Sequence, residues 1–87
     1  MGRFELRFKQ SVAKDLRGIP VMDLNRILSR AEALRDEPRP ADCEKLSGYE
    51  LYRVRQGAYR IVYSIDDNSV VVEVVKVGHR GQVYRGL

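Results

Sequence analysis

Three stretches of sequence decide how this chain folds: YELYRVRQ at 49–56, YRIVYSI at 59–65 and VVVEVVKV at 70–77. Each is rich in aromatic and β-branched side chains, which favour strands. Short segments with turn-forming residues separate them, QGA at 56–58 and DDNS at 66–69, and such segments are typical of hairpin turns. The pattern therefore predicts three consecutive antiparallel strands.

Arginines are placed regularly on these predicted strands. Side chains alternate along a strand, so Arg53 and Arg55 share one face. Their separation is about 6.6 Å, from about 3.3 Å of rise per residue, and this is similar to the spacing of neighbouring phosphates on extended RNA. Arg60 begins the next strand, and Arg80 and Tyr84 follow the third. Together these residues predict a phosphodiester-binding site.

The remainder of the chain supplies one more strand and two helices. Residues 3–8 (RFELRF) alternate between apolar and charged side chains, which predicts a half-buried strand near a sheet edge. A short helix is predicted at 11–17, with Ser11 as its N-cap and Gly18 at its end.

A longer amphipathic helix is predicted at 21–35, with Pro20 at its start and Pro38 and Pro40 after it. Its apolar residues recur every three or four positions: Val21, Leu24, Ile27, Leu28, Ala31 and Leu34. A linker at 38–48 leads back to the sheet, with Lys45 and Leu46 at the start of the central hairpin. The expected fold is α+β, in the order β-α-α-β-β-β: a curved antiparallel sheet with the two N-terminal helices packed on one face.

Length and charge restrict the class of protein. Eighty-seven residues form one domain, 1–87. The net charge is +4, and residues 53–87 hold six basic against three acidic side chains. Twelve of the sixteen basic residues are arginines, whose planar guanidinium groups bind phosphate in a bidentate manner. A polyanion or an acidic protein is therefore the expected partner, and a membrane is not.

Compartment and cofactors follow from what the sequence lacks. The N-terminal residues have no apolar segment of the kind found in signal peptides. Cys43 is a single cysteine, with no second cysteine for a disulfide and no neighbouring cysteine or second histidine for a metal site. A cytoplasmic protein without cofactor or metal is expected. The tyrosines at 49, 52, 59 and 63 are predicted to pack within the fold.

The hairpin LSGYELYRVRQGAYRIVYSIDD at 46–67 and the ending VVKVGHRGQVY at 74–84 resemble the RelE family, within the RelE/ParE superfamily of toxins from toxin–antitoxin pairs. The resemblance covers nearly the whole chain. It implies an endoribonuclease that cuts messenger RNA in the A site of a translating ribosome and so inhibits translation. In that reaction a ribose 2′-OH attacks the adjacent phosphate, which leaves a 2′,3′-cyclic phosphate and a 5′-OH.

The resemblance also implies roles for individual residues. Arg53 and Arg55 match the two basic positions of the family's active-site strand, and Arg60 matches the position that stabilises the phosphate. Arg80 matches the residue assigned to the leaving group, and Tyr84 matches the C-terminal tyrosine that orients or stacks on the nucleotide. Arginine suits a dianionic transition state, and an aromatic ring suits a splayed base.

One departure concerns the general base. The family commonly has lysines on this strand, and a buried lysine can lose its proton, whereas arginine effectively cannot. We therefore interpret Arg53 and Arg55 as electrostatic residues. Histidine is the side chain whose ordinary titration lies near neutrality. Since His79 directly precedes Arg80, we hypothesise that His79 is the general base or acid. Tyr84 or ribosomal groups are the alternatives.

Two other functions stay open at this stage. A ParE-like protein would inhibit DNA gyrase by binding it, without catalysis, and an antitoxin-binding protein with weakened nuclease activity is the third reading. All three imply a cognate antitoxin, expected as an acidic, amphipathic segment that covers the helices and the arginines. Operator DNA would be bound only through the antitoxin complex.

Overall fold

The predicted hairpins form the middle of a five-stranded sheet. The computed structural model describes residues 3–86, with strands β1 Glu5–Phe8, β2 Glu44–Lys45, β3 Tyr52–Gln56, β4 Tyr59–Asp66 and β5 Val71–His79. Two helices, α1 Val12–Leu16 and α2 Val21–Ala33, follow β1, and a 3₁₀ helix, Val83–Gly86, follows β5. The strands are ordered β1-β5-β4-β3-β2 in space, so the α+β class and the predicted order of elements are confirmed.

The prediction of an entirely antiparallel sheet is wrong for one pair of strands. The sheet is mixed, because β1 runs parallel to β5 while the other neighbouring strands are antiparallel. The chain between β1 and β5 passes through both helices, and a long crossover of this kind allows parallel pairing where a hairpin does not. The two-residue strand β2 lies in the predicted linker and pairs Glu44 with Arg53 and Lys45 with Tyr52. The central hairpin thus begins one residue earlier than the sequence predicted.

The helices differ from prediction mainly at their ends. The last predicted turn of α2 is a non-helical turn at 34–36. Ser11 occupies the N-cap position of α1 but makes no side-chain capping hydrogen bond, because its backbone is already helical at φ −64° and ψ −18°. The predicted capping role of Ser11 is therefore wrong. Gly18 follows α1 with φ +81°, a conformation that glycine adopts without strain.

The hydrophobic core lies between the two helices and one face of the sheet. Its helical contribution is Val12, Ile27, Ala31 and Leu34, and its sheet contribution is Val54, Ile61, Tyr63, Val72, Val74 and Val77. Of the apolar positions predicted on α2, Val21 and Leu28 are exposed. They lie at the margin of the apolar stripe, which is wider than the surface that the sheet can cover.

A β-bulge in the pairing of β4 with β5 decides which side chains point away from this core. Tyr63 pairs with Val74 and Val62 pairs with Lys76, so Val75 has no partner across the strand. A bulge shifts the alternation of side chains by one residue. As a result Val77 joins Val74 in the core, although an uninterrupted strand would place them on opposite faces.

Helix α1 holds the end of β5 in place. Beyond Val74 the strand β1 has ended, and the Asp15 carboxylate accepts hydrogen bonds from the Val77 N–H at 3.2 Å and from Lys76 Nζ at 3.1 Å. A backbone donor at the sheet edge is thereby satisfied by a side chain. This contact positions the segment that carries Gly78, His79 and Arg80.

Candidate functional site

Arginines occupy the face of the sheet opposite the helices. Arg53 pairs with Val62 and Arg55 pairs directly with Arg60 across β3 and β4. Residues paired in this way have side chains on the same face. Since Val54 and Ile61 point into the core, the alternation places Arg53, Arg55 and Arg60 on the other face. The structure thus brings these three predicted residues together, and with Arg80 we call them the arginine surface.

The Arg55–Arg60 pair sets like charges against each other at the centre of this surface. The pKa of the Arg60 guanidinium is lowered by desolvation and then by the charges of Arg55 and Arg53. Arg80 adds to the lowering and Tyr84 opposes it, so all five predicted arginine-surface and tyrosine residues act on one another. Arg60 stays protonated at neutral pH, because arginine ordinarily titrates above about 12.

The Arg60 side chain is also held in position by the β3–β4 turn. Its Nη1 donates to the carbonyl of Gly57 at 3.1 Å and to that of Tyr59 at 2.9 Å. These bonds orient the guanidinium while Nε and Nη2 retain donors for a ligand. Gly57 has φ +60°, which suits glycine in this tight turn.

Arg53 is buried, although strand alternation alone would suggest a solvent-exposed side chain. It is 6% exposed, and its Nη2 forms an ion pair with Glu44 Oε2 at 2.5 Å. Glu44 pairs with Arg53 across β2 and β3, so its carboxylate lies on the arginine surface. Sequence reasoning missed Glu44 because it falls in the predicted linker; the only signal is its position directly before the residues predicted to begin the hairpin.

The segment after β5 folds back over the same face. The Arg80 N–H donates to the Ala58 carbonyl at 2.8 Å, which joins it to the β3–β4 turn. Val83 packs on Gly78, where an added Cβ would lie 3.2 Å from Val83 Cα. Gly78 pairs with Arg60, so the 3₁₀ helix and Tyr84 are brought beside the arginine surface, as predicted for Tyr84.

Tyr84 and Tyr49 line one small cavity beside the arginine surface. Its volume is about 210 Å³, and its lining residues are Leu46, Ser47, Tyr49 and Tyr84. Tyr49 is 48% exposed and Tyr84 is 42% exposed. The prediction that Tyr49 packs within the fold is therefore wrong, because Tyr49 belongs to the turn between β2 and β3. Tyr52, Tyr59 and Tyr63 do pack against or within the core.

His79 lies apart from the arginines. It pairs with Tyr59 across β4 and β5, and the two rings meet edge to face at a centroid distance of 6.0 Å and an angle of 80°. Tyr59 packs against the core, so the β-bulge turns His79 toward the helix side of the sheet. The structure does not bring its ring together with Arg60, and a catalytic role for His79 stays a prediction.

Charge on the arginine surface is largely uncompensated. Elsewhere in residues 3–86 four arginines have acidic partners: Arg7 with Glu5, Arg30 with Asp42, Arg35 with Glu32 and Arg39 with Asp67; Arg3, Arg17 and Arg26 have none. Within the same residues Arg55, Arg60 and Arg80 form no ion pair with a carboxylate. Unpaired guanidinium groups on one face suit a ligand with regularly spaced negative charges, such as the phosphates of a nucleic-acid backbone.

Metal binding and membrane insertion have no structural support in the part of the chain that is described. Residues 3–86 contain no group of three or more His, Cys, Asp or Glu side chains that could hold a metal ion. Neither described helix has the length and apolar character needed to cross a membrane.

Known proteins resemble this chain over nearly its whole length. A family model described as "ParE toxin of type II toxin-antitoxin system, parDE" matches residues 6–84. The protein named toxin RelE1 from Methanocaldococcus jannaschii is 30% identical over 89 residues, covering 95% of this chain and 97% of that protein. Toxin RelG from Mycobacterium tuberculosis is 32% identical over 87 residues, covering 94% and 97%.

A solved structure gives the same result for the fold. The archaeal RelE–RelB complex from Pyrococcus horikoshii OT3 contains a chain that superposes with a TM-score of 0.81 at 31% sequence identity, covering 92% of this chain and 98% of that one. Sequence and fold thus lead to one group of proteins.

Proposed function

The chain belongs to the RelE/ParE family of type II toxin–antitoxin toxins, and we propose that it is the RelE-type member that cuts messenger RNA in the A site of the ribosome. The observation that carries this proposal is the arginine surface with Tyr84 beside it. Arg55 and Arg60 stand opposite each other, and Arg80 and Tyr84 lie close enough to influence Arg60. Guanidinium groups gathered in this way suit a phosphate group, which can accept charge-assisted hydrogen bonds from several of them at once.

The arginines supply the electrostatic part of the reaction. When the 2′-oxygen attacks the neighbouring phosphorus, negative charge accumulates on the phosphoryl oxygens, and Arg55 and Arg60 stabilise it with charge-assisted hydrogen bonds. The P–O5′ bond then breaks, and Arg80 stabilises the leaving 5′-oxygen, which takes its proton from water. Arg53 is tied to Glu44, so it acts by holding that carboxylate and adding positive charge beneath Arg55 and Arg60.

The proton of the 2′-hydroxyl needs an acceptor, and we propose Glu44 for this role. Its carboxylate lies on the arginine surface with its side chain 65% exposed, so substrate can reach it. The ion pair with Arg53 fixes the carboxylate beside the arginines, and a glutamate carboxylate can act as a general base. His79 is the alternative acceptor: it directly precedes Arg80, but its ring packs on Tyr59.

Primer extension on a reporter messenger RNA bound to programmed ribosomes tests the proposal. The wild-type protein should cut at A-site codons, and Arg80→Ala and Tyr84→Ala should abolish the cuts. Arg26→Ala is the matched control, because Arg26 is an exposed arginine on α2, on the other side of the sheet. Absence of cuts by wild type, or equal loss in the control, would contradict a nuclease site on the arginine surface.

A ParE-type function is the second candidate, because the family model that matches residues 6–84 carries the ParE description. In that case the chain would bind DNA gyrase and would cleave nothing. Growth arrest without cuts in messenger RNA, together with inhibition of supercoiling by purified gyrase, would establish this alternative.

We also propose a cognate antitoxin as the protein partner, which would bring operator DNA into the complex. The support is that the similar chain from P. horikoshii is described in complex with RelB and that α2 has exposed apolar side chains. Val21 is 70% exposed and Met22 is 68% exposed, so an amphipathic segment would find apolar surface there. Purification of the chain with the protein encoded beside it tests this partner.

A further inference from the structure

We infer that Leu46, Ser47, Tyr49 and Tyr84 form a base slot, which holds one unpaired base of the RNA strand beside the arginine surface. This inference rests on the proposed nuclease function and deepens it, because it makes Tyr49 a residue that holds one base of the bound RNA. The four residues line the same cavity of about 210 Å³. Tyr49 is the new member of the site.

The turn that carries Tyr49 is closed by its own backbone. The Leu46 N–H donates to the Leu51 carbonyl at 2.9 Å, and the Tyr49 N–H donates to the Leu46 carbonyl at 3.2 Å. Gly48 has φ +81°, a conformation that costs glycine little. Tyr49 is therefore presented by an ordered turn, and half of its surface is nevertheless exposed. An exposed aromatic ring in a fixed position is what base stacking requires.

The two tyrosines leave room for a third ring. Among residues 3–86 the aromatic contacts join Tyr52 with Tyr63 and Tyr59 with His79, so Tyr49 and Tyr84 do not stack on each other. The slot combines two aromatic rings and an apolar leucine with the Ser47 hydroxyl, which can donate or accept a hydrogen bond. A nucleobase has matching features, an apolar face and a polar edge.

Charge favours an RNA base over a protein side chain as the occupant. Tyr84 lies close enough to Arg60 to affect its pKa, so the slot continues directly from the arginine surface. A phosphate bound at Arg60 brings the neighbouring base of the same strand toward Tyr84 and Tyr49. An antitoxin segment would meet the same arginines, but it has no repeating phosphate that fixes a ring at this distance.

The test uses short single-stranded RNAs with a 2′-deoxy substitution at each candidate cleavage position, so that binding is measured without cutting. One abasic residue is moved through successive positions, and dissociation constants are measured by fluorescence anisotropy at low salt, where phosphate contacts are strongest. The protein variants are Tyr49→Ala, Tyr49→Phe and, as an exposed aromatic control on β1, Phe8→Ala.

We expect Tyr49→Ala to weaken binding by about 5- to 160-fold, the range for loss of one base-stacking contact, and Tyr49→Phe and Phe8→Ala to bind normally. One abasic position should weaken wild type to the same extent, and at that position Tyr49→Ala should have no further effect. A 2-aminopurine placed there should be quenched by wild type and by Tyr49→Phe, but not by Tyr49→Ala.

The outcomes separate this inference from the function on which it rests. If RNA binds and depends on Arg55 and Arg60 while Tyr49→Ala binds like wild type, the base slot is wrong and the proposed function stands. If Tyr49→Ala weakens every abasic RNA equally, Tyr49 does not hold a particular base, and the inference is also overturned. If wild type binds no better than an Arg55→Gln, Arg60→Gln double variant, the base slot is overturned, and primer extension on programmed ribosomes decides the proposed function separately.

Discussion

Arg55 and Arg60 are direct cross-strand partners on β3 and β4, so two positive charges face each other beside the β3–β4 turn. Like charges in this arrangement destabilise a sheet. The fold tolerates the pair because the rest of the sheet is well packed, with Val54 and Ile61 fully buried behind it. A pairing that costs stability and faces outward is typical of a functional surface.

Replacing Arg55 with Gln should stabilise the protein while it abolishes RNA cleavage. Removal of the repulsion should raise the free energy of unfolding by roughly 0.2–1 kcal/mol, measured by urea denaturation at low salt. The gain should shrink in high salt, since exposed charges are screened there. A variant that is less stable than wild type at low salt would show that Arg55 has a structural role.

The general base can be identified from pH–rate profiles of single-turnover cleavage on ribosome complexes. Glu44→Gln retains an acceptor for Arg53 but cannot take a proton, so the rate should fall by about 10²- to 10⁴-fold at every pH. His79→Gln should cut at a rate much closer to wild type, because its ring lies on the helix side of the sheet.

Glutamate and histidine side chains as classes titrate in different pH ranges, so the pH–rate profile distinguishes Glu44 from His79 as the general base. An inflection near neutrality that disappears in His79→Gln, with Glu44→Gln still active, would assign the role to the histidine and refute the assignment to Glu44.

Gly78→Ala should reduce cleavage by displacing the C-terminal 3₁₀ helix. The new methyl group would lie 3.2 Å from Val83 Cα and 3.3 Å from Val83 Cβ, so Val83 and the adjacent Tyr84 must move by a few tenths of an ångström. A misplacement of about 1 Å can cost about 100-fold in rate, and a smaller shift should cost on the order of 10-fold.

Gly81→Ala is the matched control for that experiment, because a Cβ at Gly81 meets nothing within 4 Å. The two variants should have similar melting temperatures and different cleavage rates. Equal rates would mean that the contact of Gly78 with Val83 does not position Tyr84.

Asp15→Ala should destabilise the fold by about 1–3 kcal/mol, because the Val77 N–H would lose its acceptor at the sheet edge. Asp15→Asn keeps an oxygen for Val77 and loses only the charge interaction with Lys76, so it should cost less. Hydrogen exchange at the Val77 amide is the local readout, and it should accelerate in Asp15→Ala. If the two substitutions destabilise the fold equally, Asp15 contributes through its ion pair with Lys76 and not through the hydrogen bond from the Val77 N–H.

Tyr63 should make the protein unstable in strong alkali. Its hydroxyl donates to the Pro38 carbonyl at 2.7 Å, and burial, with the nearby Cys43 thiol adding to it, raises the pKa of Tyr63. A tyrosine whose pKa is higher in the folded state than in the unfolded state stabilises the fold fully below the unfolded pKa of about 10. That stabilisation is lost as the pH rises above about 10.

The measurement compares the pH dependence of unfolding of wild type with that of Tyr63→Phe. The variant should be less stable by about 1 kcal/mol at neutral pH, through loss of the hydrogen bond, and the difference should diminish above about pH 10. A constant difference across this range would show that the phenol ionises equally well in the folded state.

Much of the fold is determined by local sequence patterns and could therefore be predicted from the sequence. The three long strands and α2 have regular apolar spacing, so their positions follow from periodicity. The parallel pairing of β1 with β5 could not be predicted in the same way. It depends on where the two helices direct the chain, and no residue within β1 encodes that direction.

The site shows the same division between local and long-range effects. Alternation correctly placed Arg53 and Arg55 on one face, but the burial of Arg53 depends on Glu44, nine positions earlier and on another strand. The orientation of His79 depends on the bulge between β4 and β5. One extra residue in β5 reverses which side chains face the core beyond it, and nothing in VVVEVVKV marks where that residue falls.

The parallel contact between β1 and β5 has a consequence for biosynthesis. The first strand of the sheet cannot complete its pairing until the last strand has left the ribosome, and Tyr84 reaches its position only after Val83 packs on Gly78. A nascent chain therefore lacks the finished arginine surface, with Tyr84 beside it, for as long as the segment from β5 to Tyr84 remains in the exit tunnel. Under the proposed nuclease function, the translating ribosome would be spared cleavage until that segment has emerged.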